Sequence, residues 1–110
     1  MLRLFISFLG KEENIQRKKF YNYYVYENGD VYSLYRNKFL KPGIVQGYKQ
    51  YTLSINGISK RYKAHRLVAL LFLNVPDNYE QLVVNHKDGN KLNCHYSNLE
   101  WCTTSYNNYH

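Results

Sequence analysis

The chain is poor in cysteine, tryptophan and acidic side chains. Its 110 residues include two cysteines, Cys94 and Cys102, and no Cys-x-x-Cys pair. That argues against a disulfide framework and against a ribbon-type zinc site. No apolar run approaches the length of about 20 residues needed to cross a bilayer. The segment 1–9 is apolar, but it is short and leads into Lys11-Glu12-Glu13 rather than a small-residue cleavage site. It is expected to form an amphipathic or strand-like arm, not a signal peptide, and the protein is expected to be intracellular. Eight acidic residues stand against 15 Lys and Arg, a formal charge of +7. That imbalance favours an anionic partner, of which nucleic acid is the commonest; keeping a protein soluble is the other use of such a charge.

Tyrosine is abundant, with 13 residues against one tryptophan, and hydrophobic residues make up 45% of the chain. This excludes a disordered chain, and 110 residues suit one domain or two tightly joined halves with a modest core. Tyrosine suits strands and wet interfaces alike, and its hydroxyl can meet a DNA backbone without reading sequence. Two Asn-Gly turns set the early pattern. Tyr23–Tyr26 and Val31–Leu34 flank the first, and Tyr48–Ile55 and Ile58–Ala64 flank the second. Asn-Gly between β-prone runs predicts a hairpin in which both turn residues take positive φ. Between the hairpins, Lys41-Pro42-Gly43 and Gln46-Gly47 read as turn punctuation. Lys49, Lys60, Arg61 and Lys63 occupy polar positions of the second hairpin. They are either a groove-facing basic surface or the ordinary wet face of a sheet. Residues 65–73, HRLVALLFL, predict a short buried helix that stops at Asn74-Val75-Pro76-Asp77. His65 is expected to cap or hydrogen-bond within the core, while Arg66 has the reach for a phosphate or a nearby acid.

The most informative stretch is Val83–Trp101, VVNHKDGNKLNCHYSNLEW. An Asn-His pair ends an apolar run, a Lys-Asp-Gly-Asn turn follows, and Asn98-Leu99-Glu100-Trp101 begins the return. Strands are expected over 82–86 and 98–103, with Thr103-Thr104-Ser105 as a hydroxyl cap for a last helix from Tyr106. Asp88, Gly89 and Asn90 are assigned to the shape of the loop. Asn93 is expected to brace that loop, and Leu99 and Trp101 to pack in the core. This stretch resembles the core of the HNH nucleases, in the branch that includes phage homing endonucleases. The resemblance extends back through His65-Arg66-Leu67-Val68-Ala69 and the two hairpins, covering roughly residues 20 to 110.

The resemblance implies an α+β fold: β-hairpins plus a short helix, followed by a ββα-metal motif. On that plan residues 1–19 are an arm, 20–77 a β-rich DNA-contacting module, and 78–110 the motif itself. It further implies a DNA endonuclease in which His86 activates water. Asn98, or a backbone carbonyl beside it, would orient the His86 ring. Mg²⁺ or Mn²⁺ would be held by Asn85 and by the last helix, at Asn107 and His110, which lie three apart and share a helical face. Lys49, Lys60, Arg61, Lys63, Arg66 and Lys87 would meet double-stranded DNA. No membrane is expected, and a monomer is compatible with the sequence. Relatives often carry Asp at the position of Asn85, so weaker metal binding is expected here. They also often open on a tryptophan-containing lead-in and continue into further DNA-binding segments, so a minimal or decayed member is expected.

Two other readings use the same residues. One is a DNA-binding protein that has lost cutting, to which the uncharged Asn85 points. The other is a zinc-stabilised interaction module built on His86, Cys94, Cys102 and His110, spaced eight apart. Equal spacing has no meaning in a strand-loop-strand-helix unit, and structural zinc normally uses paired ligands.

Overall fold

A computed structural model describes residues 15–104. Two antiparallel sheets precede the helix and a third follows it. The first sheet runs β1 (Arg17–Phe20), β2 (Tyr23–Tyr26), β3 (Val31–Ser33) and β4 (Lys38–Phe39), in that order. The second is β5 (Gly43–Val45), β6 (Tyr48–Ile55) and β7 (Ile58–Lys63). Helix α1 (Ala64–Phe72) leads through a 3₁₀ turn at Tyr79–Gln81 to the hairpin of β8 (Val83–His86) and β9 (Leu99–Cys102). The α+β class expected from the sequence is the one observed.

Several details differ from the sequence expectation. Arg17, Lys18 and Lys19, assigned above to the arm, belong to β1, paired with β2 from Arg17 opposite Tyr26 to Phe20 opposite Tyr23. It shows no alternation because all three residues are exposed; instead the Arg17 guanidinium lies 3.9 Å from the Tyr24 ring centroid. The second hairpin is a three-stranded sheet. Gln46 and Gly47, read as turn punctuation, form a two-residue turn, with φ of 54° and 87°, between β5 and β6. Asn56 and Gly57 both take positive φ as expected, but at the first turn only Gly29 does. There Asn28 accepts from the Asp30 N–H through its side chain instead, the local bond that lets Asn turn a chain without leaving negative φ. The predicted helix from Tyr106, with Asn107 and His110, lies outside the described residues.

The core gathers Tyr23, Val25 and Val31 of the first sheet, Tyr51 and Leu53 of the second, and Leu67, Val68 and Ala69 of α1. Val84, Cys94 and Leu99 join from the C-terminal unit. Alternation explains who enters: Tyr51 and Leu53 point inward while Thr52 stays exposed. Leu99 is in this core and Trp101 packs against it.

The first turn fastens the second sheet and the loop before β9 to the first sheet. The Tyr51 hydroxyl donates to the Gly29 carbonyl at 3.0 Å, and burial pushes the Tyr51 phenol up so that it stays a donor. The Tyr96 N–H donates to the Glu27 carbonyl at 2.9 Å. Gly29 has φ of 94° and is buried, and a Cβ there would come 2.8 Å from the Cys94 Cβ. Gly29→Ala therefore combines backbone strain with overpacking, together roughly 2–4 kcal/mol. Gly57→Ala has φ of 79° but open space around it, and carries only the strain of about 1–2 kcal/mol. Thermal unfolding should drop by about 10 °C or more for Gly29→Ala and clearly less for Gly57→Ala. Equal drops would show that Cys94 does not crowd Gly29.

Candidate active site

Strand β8 delivers two buried side chains in succession, Asn85 and His86. Because neighbours on a strand point to opposite faces, the two look to different sides of the hairpin. His86 turns toward α1 and the second sheet. Its ring centroid is 4.8 Å from that of His65 and 5.8 Å from that of Tyr48, and Tyr48 stacks on His65 at 5.1 Å. Two cations border the group: Lys91 Nζ lies 4.7 Å and Lys63 Nζ 5.0 Å from the Tyr48 ring centroid. Lys91 is held there by donating to the Gln46 carbonyl at 3.3 Å.

His65 does not cap the helix. Lys63 is the N-cap residue, with no side-chain cap bond, and His65 Nδ1 is buried without a partner, as is His86 Nε2. A buried polar atom left unpaired costs free energy. Burial is the main force on both rings. It drives His65 down to about 3, with help from His86, Lys63 and Arg66. It also lowers His86, with Lys91 acting the same way and Asp88 against it. Both imidazoles are therefore neutral at pH 7, and a neutral imidazole can accept a proton.

Asn98 is buried, but its amide makes no hydrogen bond to His86. It donates to Asp88 Oδ1 and to the Asn93 carbonyl, each at 2.9 Å, and its Oδ1 accepts from the Asp88 N–H. Its own carbonyl accepts from the Lys87 N–H at 2.7 Å, directly after His86. Asn98 thus fixes the loop that leaves the His86 strand end. Asp88 is the hub of that loop, accepting also from the Asn90 N–H and the Asn93 amide. These bonds, Asn93 first, hold its carboxyl below the usual range. Gly89, at φ of 76°, completes the turn.

The register separates the basic residues expected to act together. Arg61 is opposite Thr52 and Lys63 opposite Gln50, on the face that continues to Tyr48. Lys60 is opposite Leu53 and Lys49 opposite Ile44, so they belong to the other face. Lys87 is exposed beside His86. Arg66 differs from expectation. Its guanidinium donates to the Leu82 and Tyr79 carbonyls, at 3.1 and 3.4 Å, and sits 5.2 Å from the Trp101 ring centroid. It braces the approach to β8 rather than presenting itself to a ligand.

Sequence reading alone missed Tyr48, Lys91 and Glu100. The last was within reach: pairing β8 with β9 sets Asn85 opposite Glu100, and Asn85 Nδ2 donates to Glu100 Oε2 at 2.9 Å. A groove of about 380 Å³ lined by Arg36, Lys38, Lys41, Gln50 and Thr52 was also missed. Cys94, of the zinc reading, is instead buried against Gly29. Among the described residues no three His, Cys, Asp or Glu side chains cluster to hold a metal ion. What the hairpin offers at Asn85 and Glu100 is oxygen, which suits a hard divalent ion that keeps several waters and does not suit zinc.

A histidine at a strand end with a cationic border, and an amide–carboxylate pair on the other side of the same hairpin, define a histidine-centred hairpin site on an α+β scaffold. Residues 62–109 match the family model described as HNH endonuclease. The DNA endonuclease I-HmuI of Bacillus phage SP01 is 43% identical over 88 residues, which cover 78% of this chain and 49% of that one. The mimivirus HNH endonuclease L245 is 43% identical over 90 residues, 81% of this chain and 27% of that one. The solved structure of I-HmuI, concerned with DNA binding and cleavage by that HNH homing endonuclease, superposes with a TM-score of 0.71. It shares 40% identity, over 80% of this chain and 50% of that one. The chain belongs to the HNH endonuclease family, and it spans about half of I-HmuI or less than a third of L245.

Proposed function

We propose that the chain is a metal-dependent DNA endonuclease of the homing type that hydrolyses phosphodiesters of double-stranded DNA, working inside a cell. The observation that carries this reading is His86: buried at the end of β8 against His65 and Tyr48, with Lys63 and Lys91 over the Tyr48 ring. The names of I-HmuI and its solved structure, with DNA binding and cleavage as their subject, support it.

In this mechanism Arg61 and Lys63, with Gln50 and Thr52, hold the DNA backbone on the outer face of the second sheet. Lys91 and Lys87 draw the scissile phosphate toward the end of β8. His86 accepts a proton from the attacking water, and its lowered affinity for protons keeps it ready to do so. Asn98 and Asp88 keep the strand end and loop in one shape, so that the base does not wander. Mg²⁺ or Mn²⁺, when bound, would supply charge neutralisation for the phosphate and the leaving oxygen. Asn85 would hold it; Asn107 and His110, the other expected ligands, lie outside the described residues.

The products expected are a 5′-phosphate and a 3′-hydroxyl. A nick made in supercoiled plasmid with Mg²⁺ should therefore be resealed by a DNA ligase without prior treatment. Products that cannot be resealed would overturn this chemistry. The face assignment has its own test: the salt slope of DNA binding is about 0.9 for each phosphate the protein neutralises. Removing Arg61 and Lys63 together should lower it by roughly 1.8, against little change for Lys49 and Lys60 together. The reverse ranking would mean that DNA lies on the other face.

A further inference from the structure

Asn85 stands where a carboxylate would bring charge, yet it is buried and makes one directed side-chain bond. Its Nδ2 donates to Glu100 Oε2 at 2.9 Å. The two residues are directly opposed in the β8–β9 register, so the contact is built into the hairpin rather than made by chance of rotamer. A carboxylate can only accept a hydrogen bond, while an amide has one accepting and one donating end. Glu100 therefore decides which end of Asn85 faces which way: the nitrogen toward β9, the oxygen away from it. Without Glu100 the amide can turn over and present its N–H groups, which repel a cation. Glu100 also places a negative charge one hydrogen bond away from a neutral ligand. It is felt as far as Cys102 on the same strand, whose thiol it helps burial to push up.

We propose that Glu100 is the positioning residue of the cation site. It locks the Asn85 amide so that Oδ1 is the atom offered to a hard divalent ion, and it supplies the charge that Asn85 lacks. The proposal rests on the metal-dependent reading of the site given above.

Mn²⁺ alone is the probe, titrated into the purified chain and followed by the paramagnetic resonance of the free ion. The same ion broadens nearby amide signals in nuclear magnetic resonance. Wild type is compared with Asn85→Ala, E100A and E100Q, with thermal unfolding of each as the check on fold. If E100A fails to fold, E100T, β-prone and too short to reach Asn85, takes its place. The expected result is Mn²⁺ binding by wild type, with early broadening of the Asn85 side-chain NH₂ signal. E100A should weaken binding at least fivefold and lose that broadening. E100Q, which still accepts from Asn85 through its own oxygen, should fall between the two. E100A binding Mn²⁺ like wild type while Asn85→Ala loses it would overturn the role of Glu100 and leave the metal site at Asn85 standing. Binding unchanged in Asn85→Ala, or absent in wild type, would overturn both the role of Glu100 and the assignment of Asn85 as ligand.

Discussion

His86→Ala should lower the single-turnover rate of DNA cleavage by about 10²–10⁴-fold, the contribution usual for a positioned general base, while DNA affinity stays within about twofold. The two parts separate because His86 is buried against His65 and Tyr48, whereas Arg61, Lys63, Lys87 and Lys91 are exposed. Phosphate contacts set affinity and orientation; the base acts only as the bond breaks. The pH dependence follows from the same burial. His86 in the folded protein holds a proton less readily than a free imidazole. Its rate contribution should therefore persist as pH falls below 6.5, the value of the free ring, and fail only when the buried ring is finally protonated. A His86→Ala chain cutting at the wild-type rate would remove this residue from the chemistry.

The second large effect concerns stability. His65 takes up a proton at about 3 in the folded chain, against 6.5 when free. Between these values the unfolded chain binds the proton and the folded chain does not, so stability rises with pH across the window. The contribution is fully present above 6.5 and is lost as pH falls through about 3. At about 1.36 kcal/mol for each unit, it amounts to on the order of 4–5 kcal/mol, a large part of a typical domain's stability. His86 acts in the same direction. The chain should therefore lose much of its resistance to urea between pH 6.5 and about pH 3. His65→Phe, which keeps a ring against Tyr48 and His86 but carries no titrating nitrogen, should flatten that slope. An acid dependence unchanged by His65→Phe would mean that His65 is not the group being protonated.

The parts of this fold that are legible in the sequence are those with a local cause. Asn56-Gly57 demands positive φ, and the turn forms with it. HRLVALLFL has no reason to be anything but a buried helix, and Pro76 follows its end. What stays hidden depends on partners far along the chain. Arg17-Lys18-Lys19 reads as part of an arm because nothing within it shows that Tyr24 and Tyr26 wait across the sheet. Arg66 reads as available to a phosphate because the carbonyls it meets, at Tyr79 and Leu82, lie 13 and 16 residues away. His65 alone carries no sign of whether it caps a helix or lies beneath another ring. Its place under His86 exists only once α1 and β8 are packed.

The site divides in the same way. His86, Asn85 and the Asp-Gly turn can be read from residue types at one strand end. The function of Asn98 cannot, because its amide can orient a ring or tie a loop, and its bonds go to Asp88 and Asn93. Lys91 is one lysine among many until the loop returns it over Tyr48.

On the proposed mechanism His86 and a divalent metal together cut DNA. Supercoiled plasmid incubated with the chain and Mg²⁺ or Mn²⁺, beside His86→Ala and beside EDTA, tests it most directly. Relaxed or linear plasmid is expected from the wild-type chain, and none from either control. Binding of the plasmid without cutting under either metal, or cutting that survives EDTA, would contradict it.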